Sequence, residues 1–172
     1  MPGPYHPLVN SQKELASFTG WGEPDEDDRK MQFTAPLDIG GVTIEHFWLR
    51  GRCVEDQPDR EVSFQLEVGK EGIRTRTPLM RVDWRPLSGG HGNADGPDEL
   101  ADTIITGCHF HAFELNWLET EQRMRATNLP VARQIIEPLQ TFKDVLDFVK
   151  IHFRINGLEK ITQPEWVEEL LL

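Results

Sequence analysis

From Val62 to Val68 the chain alternates strictly, with Val62, Phe64, Leu66 and Val68 on one parity and Glu61, Ser63, Gln65 and Glu67 on the other. A period of two is the pattern of a half-buried strand, and a slip of one residue would turn every side chain to the wrong face. The same period sets Val42, Ile44, His46 and Trp48 opposite Thr43, Glu45, Phe47 and Leu49, after a Gly40-Gly41 turn that leads in from a strand over about 31–39. Beyond the Glu71-Gly72 turn, a strand from Ile73 to Trp84 is expected, with Pro78 confining it to an edge or forcing a bulge. Ile104 to Leu115 resumes the pattern. Strands joined by short turns pair antiparallel, so the expected fold is α+β. It has a mainly antiparallel sheet of about four to six strands over residues 31–116.

The chain then turns helical. Thr141 with Asp144 resembles a capping box, and Phe142, Val145, Leu146, Val149 and Phe153 follow at helical spacing, with Gly157 placed to end the helix. Thr162-Gln-Pro-Glu165 repeats the start signal, and a shorter helix is expected around 128–137. Helices over about 128–172 would therefore pack on the sheet. Residues 1–30 read as an arm, punctuated by proline and glycine and carrying the acidic run 23–28, with Val9, Leu15, Phe18 and Trp21 able to dock parts of it. The expected organisation is this arm followed by one domain over 31–172. Pro86 to Pro97 reads as a glycine-rich loop with no regular element.

Two cysteines, Cys53 and Cys108, do not make a disulfide framework. The start shows neither a signal peptide nor a membrane-length apolar run, so the expected location is cytoplasmic. The net charge of −11 excludes a whole-surface nucleic-acid binder, because phosphate binding needs Lys and Arg. It leaves room for a basic protein partner. Cations and acids balance over 50–85, which permits a local anion site. Nucleotide-binding glycine motifs, Gly-x-Ser-x-Gly, Cys-x-x-Cys and His-Glu-x-x-His are all missing.

One constellation carries chemistry. His109 and His111 project from one face of a strand, roughly 7 Å apart at Cα. His91, followed by Asn93 in the glycine-rich loop, supplies a third imidazole. Three histidines suit zinc or another divalent transition metal. Without a metal, two histidines can act as general base and acid while an arginine steadies charge on phosphorus. Strict alternation places Arg74 and Arg76 on one face and Arg81 on the other, and Arg76 is taken as the catalytic candidate beside His91, His109 and His111. Trp84 and Trp117 at strand ends are expected to pack. These residues point to a small phosphoester-cleaving enzyme acting on RNA or a nucleotide. The alternative is a non-catalytic acidic interaction module, of inhibitor or antitoxin type, with structural histidines.

Overall fold

The computed structural model describes residues 3–57 and 59–165. Twelve strands and three α-helices follow in chain order. Helix α1 (His6–Asn10) and β1 (Lys13–Leu15) come first, then the long strands β2 (Lys30–Ile39), β3 (Val42–Val54), β4 (Val62–Lys70) and β5 (Ile73–Trp84). The short strands β6 (His91–Asn93), β7 (Thr103–Ile105) and β8 (His109–His111) precede α2 (Phe113–Asn116). After β9 (Trp117–Leu118), β10 (Arg123–Met124) and β11 (Arg133–Gln134) come α3 (Phe142–Phe153) and β12 (Ile155–Asn156). No helix among the described residues is long and apolar enough to cross a membrane.

Eight strands form one mostly antiparallel sheet in the order β11-β8-β5-β4-β3-β2-β1-β12, with only β1 and β12 parallel. This exceeds the expected four to six strands because both edges recruit pieces read as something else. Leu15 of β1 is 1% exposed, so part of the arm is an inner strand flanked by β2 and the edge strand β12, while the acidic run is largely exposed. Residues 128–137 are not helical: Asn128 and Leu129 are left-handed, and Arg133 and Gln134 form β11 at the other edge. The stretch from Ile104 to Leu115 is broken at Gly107 (φ +79°), so β8 ends at His111 and Phe113 and Leu115 belong to α2. The loop over 86–97 contains β6, which pairs with β7 as a separate two-stranded ladder. Gln163 to Glu165 are not helical, and the rest of the expected last helix lies outside the described residues.

Helix α3 covers one sheet face. Thr141 accepts from the Asp144 N–H at 3.1 Å and Asp144 returns a bond to the Thr141 N–H at 2.8 Å, so the capping box is complete. The helix ends one turn earlier than Gly157 would place it, with Arg154 taking the left-handed cap at φ 56°. Phe142, Val145, Phe148, Val149 and Phe153 bury against Phe64, Val82, Trp84 and Phe110. Each such ring is worth roughly 1.5–3 kcal/mol of burial. Trp84 also donates to the Leu139 carbonyl at 2.8 Å, and Trp117 packs on Phe113, so both tryptophans are packing residues.

The opposite face is polar, and its composition depends on one bulge. Leu66 pairs with Met80 but Glu67 pairs with Pro78, so Leu79 is an extra residue in β5. Leu79 and Met80 are both buried, and alternation reverses across them. Arg76 and Arg81, assigned to opposite faces by strict alternation, therefore share the polar face. Arg76 meets Glu67 at 2.5 Å there and Arg81 meets Asp83 at 2.8 Å.

Candidate metal centre

Antiparallel register writes the site. His111 lies opposite Arg81 and His109 opposite Asp83, with Phe110 and Val82 between them turned into the core. In-register pairs on one face have Cβ atoms about 5 Å apart, so the four polar side chains form a square on the polar face. Strand β6 brings His91 over it. The His91 ring stacks on His109 at 5.3 Å between centroids and meets His111 edge-on at 4.7 Å. One nitrogen from each of His91, His109 and His111 falls within 4.8 Å of the others. The three sequence-selected histidines are thus brought together.

Arg76 is not brought to them. It stands five residues before Arg81, roughly 15 Å along the strand, where it pairs with Glu67 and stacks 4.3 Å from the Trp48 ring. Arg81 occupies the place assigned to it. Asp83 and Arg81 are the residues that sequence reasoning missed, and the signal that finds them is cross-strand register, which depends on the bulge.

Backbone carbonyls set two tautomers. His91 Nε2–H donates to Pro130 O at 2.8 Å and His109 Nδ1–H donates to Gly107 O at 2.8 Å. A carbonyl only accepts, so His91 Nδ1 and His109 Nε2 keep their lone pairs. This carbonyl–imidazole arrangement is how metal-binding histidines are oriented in general. Asp83 Oδ2 lies 3.3 Å from His109 Nε2 and 3.1 Å from His111 Nε2. Asp83 thus borders the cluster on its His109–His111 side, where the same oxygen also holds the Arg81 Nε at 2.8 Å.

The protein's own protons do not satisfy the cluster. Arg81 Nη2 approaches His111 Nε2 at 2.9 Å and can only donate, while Asp83 at 3.1 Å can only accept from the same nitrogen. His111 Nδ1 is buried with no hydrogen-bond partner. Burial pushes the His111 pKa down to about 4 against the opposing Asp83 hydrogen bond, keeping the ring neutral at pH 7 as a metal ligand must be. Burial alone would raise Asp83, but the adjoining histidines, among them His111 as a hydrogen-bond partner, and the Arg81 charge hold it far below the usual carboxylate range.

A strap over 128–132 fixes His91 in place. The Asn93 amide takes the Ala132 N–H at 2.9 Å and donates to the Ala132 carbonyl at 2.8 Å. Asn116 does the same to Val131, at 3.0 and 2.8 Å. Both asparagines are 1% exposed or less. Asn93, which the sequence places in a glycine-rich loop, is a clamp that ties β6 to the strap carrying the Pro130 carbonyl. The strap begins with three successive left-handed residues, Thr127 (φ 65°), Asn128 (φ 51°) and Leu129 (φ 59°). Such backbone costs of order 1–3 kcal/mol per residue and persists only where surrounding contacts hold it.

No family model, curated protein or solved structure matches the chain. The functional reading therefore rests on the chemistry of this cluster.

Proposed function

We propose that the protein is a metal-dependent phosphoester hydrolase acting on RNA or a nucleotide, with His91, His109 and His111 as metal ligands. The observation that carries the proposal is the convergence of three imidazoles, two of them oriented by backbone carbonyls, with Asp83 beside two of them. Three nitrogen donors with an open fourth position suit zinc. A divalent ion there would supply a Lewis acid and a source of hydroxide near neutral pH. Asp83 holds the Arg81 Nε at 2.8 Å, which aims the guanidinium across the cluster. Arg81 is thereby placed to take up negative charge developing on phosphoryl oxygens, the role first given to Arg76. The depressed His111 pKa weighs against metal-free acid catalysis by that ring at pH 7.

The test combines zinc titration by calorimetry with hydrolysis of bis(p-nitrophenyl) phosphate and of a single-stranded RNA. Wild type is expected to bind about one zinc per chain and to cleave. His109→Ala should lose both, and Arg81→Met should bind zinc but lose cleavage. A wild type that binds no metal and cleaves neither substrate would overturn the proposal and leave the acidic interaction module standing.

A further inference from the structure

The polar face extends well beyond the histidines. Two rows of in-register residues cross five strands: Thr34, Arg50, Gln65, Arg81 and His111 in one, and Gln32, Arg52, Ser63, Asp83 and His109 in the other. Over these rows lies a cleft of about 160 Å³ lined by Lys30, Arg50, Arg52 and Arg81 and by Glu61 and Asp83. It is continuous with a second of about 310 Å³, which shares Arg50, Gln65 and Asn128 and adds Arg74, Arg76 and Glu67, whose carboxylate pairs with Arg50 at 3.4 Å and with Arg76 at 2.5 Å. The two cavities together carry six cations and three carboxylates in a chain of net charge −11. At the outer end Asp28 engages Lys30 at 3.2 Å, and Glu23, Asp25 and Asp28 line a further cavity with Arg52, whose ladder neighbours Gln32 and Ser63 are uncharged.

Two further observations mark a ligand surface. Gln65 lines both cavities, is 4% exposed, and has a buried Oε1 with no hydrogen-bond partner among the described residues. A buried carbonyl oxygen left unpaired loses its solvation without return unless something donates to it. Asn128, in the middle of the left-handed run, also lines both cavities.

From these we propose that the groove is a binding track for a single-stranded oligonucleotide, deepening the hydrolase reading on which it rests. One phosphate lies at Arg81 beside the histidines, and a second lies over Arg50 and Arg52. Arg81 and Arg50 are two strand spacings apart, roughly 10 Å. At about 3.4 Å per stacked nucleotide that separation spans about three nucleotides, too far for the phosphates of one mononucleotide. Gln65 Oε1 accepts from a base or ribose donor between them.

The experiment measures fluorescence anisotropy of a labelled single-stranded hexanucleotide, as RNA and as DNA, in EDTA so that cleavage plays no part. Unlabelled mononucleotide, pyrophosphate and an acidic peptide serve as competitors. The hexanucleotide is expected to bind at least tenfold more tightly than the mononucleotide. Its log affinity should fall with log salt at a slope near −2, for about three phosphate contacts. Arg50→Gln with Arg52→Gln should weaken it tenfold or more, while Lys143→Gln, on the helix covering the other face, keeps wild-type affinity. Circular dichroism checks the double variant's fold, and Arg52→Gln alone repeats the measurement with less disturbance.

Equal affinity of wild type and both arginine variants would overturn the track, as would binding no tighter than the mononucleotide or preferential displacement by the acidic peptide. Binding of the hexanucleotide without cleavage after zinc is restored would overturn the hydrolase and leave the track. Cleavage with indifferent arginine variants would do the reverse.

Discussion

Replacing Asn93 by alanine tests whether the strap and β6 build the site together. Three hydrogen bonds disappear, at 2.8 and 2.9 Å to Ala132 and 3.1 Å to Thr103. At about 1 kcal/mol net each they sum to roughly 3 kcal/mol. The Ala132 N–H and carbonyl then lie unpaired at a residue with 0% exposure, which adds about 1 kcal/mol or more. The expected loss is about 4 kcal/mol, and a chain of this length should melt roughly 8–16 °C lower. Because His91 rides on β6 and is oriented by Pro130, zinc affinity should fall about 10–100-fold, the usual effect of disturbing residues behind metal ligands. Calorimetric melting and zinc titration read the two effects separately. Asn116→Ala, which leaves β6 clamped, should match the loss of stability with a smaller loss of affinity. A melting point within about 2 °C of wild type together with unchanged zinc affinity would refute the clamp.

Other consequences follow from single residues. Zinc at about a hundred times its dissociation constant should stabilise the wild type by about 2.7 kcal/mol, or roughly 5–11 °C, with EDTA reversing the shift and His111→Ala abolishing it. The fully buried Lys13 donates to the carbonyls of Leu8, Val9 and Ser11, and burial, then Arg154, pushes its pKa down to about 8. The unfolded chain then holds a proton that the folded chain releases, so stability should rise above pH 8. Urea titrations should show a gain of about 1 kcal/mol between pH 8 and 9 that Lys13→Met lacks. From about pH 8 the opposite contribution of Cys53, pushed up to about 12 by burial, begins to offset it in both proteins, so the gain of about 1 kcal/mol is read as the difference between wild type and Lys13→Met. A Cβ on Gly51 would stand 2.1 Å from the Phe33 ring, which is held by Phe18 and Trp21. Gly51→Ala should therefore cost about 1–3 kcal/mol in chemical denaturation.

Period and caps made the local pieces legible: the alternation at Val62 to Leu66 and the Thr141–Asp144 box both form as their residues dictate. The edges were hidden because β11 and β12 are two residues each and β1 beside β12 is three, and all owe their conformation to partners distant in sequence. The strap was hidden for a related reason. Residues 128–132 have apolar content that suits a helix, but Asn93 and Asn116 satisfy the backbone groups of Val131 and Ala132 in an extended form, a tertiary choice that no local window contains.

The histidines were visible because their spacing is local. Their partners were not, because one inserted residue decides them. Pro78 signals that β5 will be irregular, yet only the pairing of Glu67 with Pro78 and Leu66 with Met80 tells where parity flips. Had β5 run without Leu79 as an extra residue, Arg76 and Arg81 could not share a face. Either the guanidinium now beside His111 or the one now on Glu67 would point into the core against α3. Burying an unpaired guanidinium there would cost several kcal/mol, so the bulge is fixed by the core as firmly as by the site. The same insertion makes the polar face continuous from Arg76 through Arg50 to the histidines, so fold stability and the proposed substrate track select the same irregularity.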